Sequence, residues 1–305
     1  MTSRQWIRYS LFSWALLMGF FASQVTAQES STLKKIRETG VIVVGHRIGS
    51  MPFSYLDDKL KPIGYSIDLC QRVIDSIATI LKRSLMVKQI AVTPATRIPL
   101  VVNGTVDLEC GVTTNTLERQ KVESFTVTIF VAQGRLLAKK SSNIQSLNDL
   151  RGKTAVSTAA TTNIQHLNEV NANQRLGIKV LVGKDDAESF QMVETDRAVA
   201  YAMDDVLLYS LVANTQNQAN YLISKEPMSV EPYGIALTRH DPEFKKLVDS
   251  ALVSIFKSGE IHTIYRKWFQ SPIPPKGVNL QMPMSAALVR AIEKPTDSGD
   301  PAHYP

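Results

Sequence analysis

The sequence predicts an α/β fold with mainly parallel sheets flanked by helices. Three observations carry this reading. Short β-branched apolar runs alternate with stretches of helical periodicity along most of the chain. The first run, Val-Ile-Val-Val at 41–44, is apolar without alternation, as suits a strand buried on both faces of a parallel sheet. The chain has 305 residues, room for about two domains at the usual ~100–200 residues each.

Taken in order, 33–39 reads as a helix stopped by Gly40, and 41–44 as the first strand. A turn region rich in Gly, Pro and Ser covers 45–64. Cys70, Val73, Ile74, Ile77 and Leu81 then repeat at three and four residues, one face of an amphipathic helix. Strands are expected at 86–92 and 106–110, with a short helix at 97–103 closed by Gly104 between them. Asn115 and Glu118 resemble a capping box and predict a helix from that point. Further strands are expected at 135–138, 153–157, 179–182, 198–203 and 233–237. Helices are expected at 146–150, from Thr161 or Thr162 to 169, at 189–194, from Asp205, and as a closing pair at 242–257 and 260–269. Beyond Ser271 the Pro-rich, polar chain reads as a tail that wraps the surface or stays disordered.

Composition narrows the function classes. At 44% hydrophobic and 20% charged residues, the chain is neither disordered nor collagenous. The net charge is +6, and +4 once Arg4 and Arg8 leave with a leader peptide. That mild, unclustered excess suits small anionic ligands and does not favour nucleic acid. Residues 1–27 carry the marks of a secretory leader: Arg4 and Arg8, the apolar run LFSWALLMGFF at 11–21, and Val25-Thr26-Ala27 before the cut. The run is about half of the ~20 residues a membrane span needs. A periplasmic protein cleaved after Ala27 is expected. Cys70 and Cys110 are the only cysteines. In an oxidising compartment they are expected to form a disulfide, the alternative being two buried thiols.

Catalytic and cofactor signatures are absent. There is no GxSxG, HExxH, GxGxxG after a strand, or Walker-type loop, and the five histidines are scattered. No catalytic residue, metal or cofactor is expected. Polar residues instead fall just past strand ends and at helix starts, where α/β proteins hold ligands. They are Arg47, Arg97, Thr113, Thr114, Arg119, Thr158, Thr161 and Asp204. Arginine forks suit carboxylates and an aspartate suits an ammonium, so this set is fit to hold a zwitterion.

At these residues a family resemblance becomes specific. The stretches VIVVGHRIGSMPFSY, IGYSIDLC, TRIPLVVNGTVDLECGVTTNTLERQKVESF, DLRGKTAVSTAATT, RAVAYAMDDVLL and YRKWFQSPIPPKGVNL resemble the glutamate/aspartate-binding proteins of bacterial amino-acid ABC transporters. The resemblance covers about 33–290. It implies two lobes joined by two crossing strands near 130–134 and 231–234, with ligand in the cleft between them. Lobe 1 would comprise 28–132 and 233–278, lobe 2 would comprise 133–232, and 279–305 would form the tail.

The resemblance also implies roles. Arg119, Thr114 and Thr161 match residues that hold the ligand α-carboxylate, and Asp204 matches the carboxylate that faces its ammonium. Arg47 and Arg97 match the pair that faces a side-chain carboxylate, and Thr158 matches another cleft hydroxyl. Three positions depart from that pattern. Pro94 and Val112 stand where it has serine, and Asp186 stands where it has histidine. The expected partners are an amino acid, most of all glutamate or aspartate, and a membrane permease, with the protein a monomer. The competing expectations are an exported enzyme on the same fold, of the cyclohexadienyl dehydratase kind, and a binding protein for another polar amino acid or dicarboxylate.

Overall fold

Residues 30–305 are described in a computed structural model, so the expected leader at 1–27 and its cleavage point lie outside the described residues. Helix α1 (Ser31–Thr39) starts where the Ser30 hydroxyl accepts the Leu33 amide at 3.0 Å. It feeds β1 (Val41–His46). The expected turn region then folds into a small antiparallel sheet of β2 (Gly49–Ser50), β3 (Ser54–Leu56) and β4 (Pro62–Ile63). Gly64 enters α2 (Tyr65–Leu81) at φ 137°, and a Cβ there would stand 2.1 Å from the Phe53 carbonyl oxygen. Only glycine allows the chain to turn from the small sheet into that helix. The buried face of α2 carries Cys70, Val73, Ile74 and Ile77 of the predicted stripe, with Leu69 added and Leu81 only partly buried.

Next come β5 (Met86–Ala91), α3 (Arg97–Val102), β6 (Leu108–Glu109) and β7 (Glu123–Phe125). After them run β8 (Phe130–Lys139), β9 (Thr154–Thr158), α4 (Thr162–Asn173), β10 (Lys179–Gly183), α5 (Asp186–Glu194), β11 (Ala200–Asp204) and α6 (Asp205–Asn214). The chain closes with β12 (Tyr221–Ile223), β13 (Ser229–Tyr233), β14 (Ala236–Thr238), α7 (Pro242–Lys257), α8 (Glu260–Phe269) and α9 (Ala286–Glu293).

The strands form two principal sheets, one per lobe. The first has the order β5-β1-β6-β14-β7, with β1 parallel to both β5 and β6. The second has the order β10-β9-β11-β8-β12, with β9 parallel to β10 and β11, and β13 pairs antiparallel with β8. The parallel strands send their carboxyl ends toward the gap between the lobes, and the antiparallel strands return the chain. The β8–β13 pair runs from one lobe to the other, with Val131 opposite Pro232 and Phe130 opposite Tyr233. An aromatic cluster anchors its base. Phe130 lies 4.9 Å from Phe53 and 5.2 Å from Phe269 between ring centroids, and the Tyr65 hydroxyl donates to the Ile129 carbonyl. The disulfide Cys70–Cys110 ties α2 to the end of β6.

Three local expectations are revised, and the alternative left open for the tail is decided. The segment after Asn115 makes only one 3-10 turn, Arg119–Lys121, rather than a helix. Asn115 does not cap it: its amide nitrogen is spent on the Pro232 carbonyl and its side chain on the Asp297 carbonyl. The expected strand at 233–237 divides at Gly234, because the chain there leaves β8 to pair with β7 in the other sheet. The expected strand at 135–138 is the distal part of the longer β8. The tail is ordered and includes α9, where Leu288, Ala291 and Ile292 are buried. Tyr304 donates or accepts a hydrogen bond with Thr128 at 2.7 Å, beside the start of β8.

Candidate functional site

Two sheets whose parallel strands end at a common gap bring their strand-end residues face to face. From the first lobe come Arg47, which follows β1, Arg97 at the start of α3, and Thr114 and Arg119 beyond β6. From the second come Thr158 at the end of β9, Thr161 as the cap of α4, Asp186 at the start of α5, and Asp204 at the end of β11. Seven of the eight are buried, and Arg119 is partly exposed. The lobes touch across the gap. The Ser50 hydroxyl donates to Asp186 at 3.3 Å, the Arg47 guanidinium lies 3.9 Å from the same carboxylate, and Arg119 Nη2 donates to the Ala160 carbonyl at 3.3 Å.

Each side chain has a definite anchor. Arg97 Nη1 donates to the Val112 carbonyl at 2.7 Å, so the Val112 backbone anchors that arginine. Pro94 is buried in the turn before α3 and offers neither a hydroxyl nor an amide proton. Arg119 Nη1 donates to the Thr114 carbonyl at 2.8 Å. Thr161 donates to the Thr158 carbonyl at 2.7 Å and accepts the Ile164 amide. Asp186 accepts from Thr158 and Tyr201, each at 3.1 Å, as well as from Ser50. Asp204 accepts from Asn163 at 2.7 Å and from the Tyr233 hydroxyl by a very short contact.

The electrostatics follow from crowding and dryness. Burial lowers the Arg97 pKa to about 10, with Arg119 and Arg47 pushing in the same direction. Burial also lowers Arg119, against the pull of Glu123, Glu231 and Asp204. Burial, helped by the Glu231 charge, raises Asp204 to about 7, while the Tyr233 and Asn163 hydrogen bonds hold it down. The gap therefore presents arginines on one wall and a desolvated carboxylate on the other. A molecule bearing both a carboxylate and an ammonium relieves both walls at once.

Several participants were not among the strand-end candidates. Ser50, Tyr201 and Ser189 join the Asp186–Thr158 cluster, with the Thr158 hydroxyl 2.7 Å from Tyr201 and 3.0 Å from Ser189. Asn163, Tyr233 and Glu231 surround Asp204. Glu109 and Glu123 lie among the arginines, each only 1% exposed. Of these, Glu109 carried the clearest local signal, since it shares the short expected strand 106–110 with a second carboxylate, Asp107.

Comparison with known proteins identifies the family. The family model for bacterial extracellular solute-binding proteins, family 3, matches residues 42–271. An L-glutamate/L-aspartate-binding protein of Pseudomonas aeruginosa is 47% identical over 94% of this chain and 96% of its own length. A glutamate/aspartate import solute-binding protein of Escherichia coli is 42% identical over 90% of this chain and 92% of its own. Among solved structures, a mutant of ArgBP from T. maritima superposes with a TM-score of 0.70 at 25% identity, covering 78% of this chain and 99% of that one. By its fold, its cleft and these relatives, the chain belongs to the bacterial extracellular solute-binding proteins, family 3.

Proposed function

We propose that the protein captures glutamate or aspartate in the periplasm and presents it, as a monomer, to the permease of an ABC transporter. Its relatives are binding proteins rather than enzymes, and the chain is likewise a binding protein. The observation that carries the ligand reading is the opposition of Arg47, Arg97 and Arg119 to Asp204 across the gap. In this reading Arg119, with Thr114 and Thr161, holds the α-carboxylate, and Asp204 receives the ammonium. Arg47 and Arg97 face the ligand's second carboxylate, Thr158 lends a hydroxyl, and Asp186 tempers the charge of the pocket. Lobe 1 comprises 28–132 and 233–278, lobe 2 comprises 133–232, and export ends with cleavage after Ala27.

Ligand selectivity between acids and amides depends on Asp186. Arg47 and Arg97 outnumber Asp186 on the face offered to the ligand side chain, with Glu109 and Glu123 set behind them, and this favours an acidic ligand. A thermal-shift screen against amino acids and small dicarboxylates tests the reading. A ligand at a hundredfold excess over Kd stabilises the folded state by about 2.7 kcal/mol, a rise of roughly 5–10 °C for a chain of this size. Glutamate or aspartate should give the largest rise. If no α-amino acid moves the melting point, the reading is wrong.

A further inference from the structure

Two carboxylates behind the arginine wall have no assigned part in ligand capture. Glu109 ends β6 and Glu123 begins β7, on either side of β14 in the first sheet. Both are 1% exposed. Glu109 Oε2 accepts from Thr113 at 2.7 Å, but its Oε1 and both oxygens of Glu123 are buried without a hydrogen-bond partner. Arg97 Nε is buried without a partner as well. Gly111 keeps this space open. A Cβ there would stand 2.2 Å from Glu109 Oε1 and 3.0 Å from the Arg47 side chain, so Glu109 reaches the arginines only past a glycine.

Such groups are expensive to bury and are expected to be satisfied. Uncommitted carboxylate oxygens that interact with the Arg97 and Arg119 guanidiniums therefore invite a role in which their charge changes. Burial, together with the Glu109 charge, raises the Glu123 pKa to about 7, while Arg119 and Arg97 pull it down. The groups facing Glu123 are Arg119 from the adjoining turn, Arg97 from α3 and Glu109 from β6. The β14 residues Ala236, Leu237 and Thr238 bring no titratable group, and Lys121 on the same turn is turned to Glu118.

We propose that Glu109 and Glu123 set the charge behind the arginine wall of the cleft, and that Glu123 takes up a proton from solvent when an anionic ligand docks on those arginines. The inference rests on the proposed acidic ligand. An anion on the arginines withdraws the positive field that keeps Glu123 ionised, so the carboxylate binds a proton as the ligand binds. Asp204 behaves in the opposite sense, since a ligand ammonium favours its ionised form and releases a proton. The Glu123 contribution is therefore read as a difference between proteins.

The test is calorimetry of aspartate binding at pH 7 in two buffers of different ionisation enthalpy, on the wild-type protein and Glu123→Gln. Near its midpoint Glu123 should take up about half a proton per ligand, and the variant's proton count should be lower by that amount. The variant should also bind aspartate roughly three- to tenfold more tightly at pH 8, with little change at pH 5.5. Equal proton counts in the two proteins, with ligand bound to both, would overturn the inference and leave the ligand reading intact. Absence of glutamate and aspartate binding to the wild type would overturn both. An infrared difference measurement needs no variant. In wild-type protein carrying ¹³C at its glutamate side-chain carboxyls, unlabelled aspartate should raise a labelled protonated-carboxyl band, and no such band would refute proton uptake at a glutamate.

Discussion

Replacing Asp186 with asparagine should tighten the binding of acidic amino acids and leave their amides nearly unchanged. Asp186 and Arg47 are each 5% exposed, and their charged groups approach to 3.9 Å. At an effective dielectric constant of about 20, unit charges ~4 Å apart attract by about 4 kcal/mol. A ligand carboxylate on Arg47 meets a guanidinium already engaged by Asp186. It also meets repulsion from that carboxylate of about 3 kcal/mol at ~6 Å. Arg97 offsets part of this, so the gain on removing the charge should be about 1.5–3 kcal/mol, roughly 10- to 150-fold in Kd. The asparagine oxygen can still accept from Thr158 and Tyr201, which preserves the cluster around it. Calorimetry with glutamate and glutamine on both proteins reads the effect. A glutamate-to-glutamine affinity ratio that is unchanged or lower in the variant would refute this account of Asp186.

Arg119→Ala should weaken every α-amino acid ligand by about 2–5 kcal/mol, because it strips the fork from a desolvated carboxylate; equal loss for glutamate and glutamine in a binding assay is the expected pattern. Replacing Cys70 and Cys110 by alanine opens a crosslink spanning 40 residues and should lower unfolding stability by about 4 kcal/mol in a denaturant titration. The ligand-free protein should lose stability as pH rises from about 5 to 7. Glu123 and Asp204 both have pKa values raised to about 7, so the folded state binds more protons than the unfolded chain in that window. Glu123→Gln should flatten that slope by an amount on the order of 2 kcal/mol, seen as melting temperature against pH. Ligand should also hold the lobes together by hinge motion, and scattering should show a smaller radius of gyration on its addition.

The parts of the fold legible in the sequence are those set by local pattern. Val41 to Val44 read as a strand because an apolar β-branched run has few other uses, and the α2 stripe read as a helix from its spacing. The site was legible to the extent that strand ends are its address: Arg47, Thr158 and Asp204 each follow a run that becomes a strand. Elements decided by distant partners were not. Asn115 has a capping pattern, but its bonds go to Pro232 and Asp297, far along the chain. Helix α9 had a usable signal, with Ser285 as its cap and Leu288, Ala291 and Ile292 on one face, but flanking prolines masked it. Ser50 and Tyr201 meet Asp186 only because three separate segments converge, and no short window of sequence contains that meeting.

The most direct test of the central claim is calorimetry of the wild-type protein at pH 7.5 with glutamate, aspartate, glutamine and asparagine in parallel. If Arg119 and Asp204 hold the amino-acid frame while Arg47 and Arg97 outweigh Asp186, binding should be measurable for glutamate and aspartate. The two acids should then bind more tightly than their amides. Tighter binding of glutamine or asparagine than of the corresponding acid would contradict the account, because it would mean that Asp186, rather than the arginine pair, sets the specificity of the cleft.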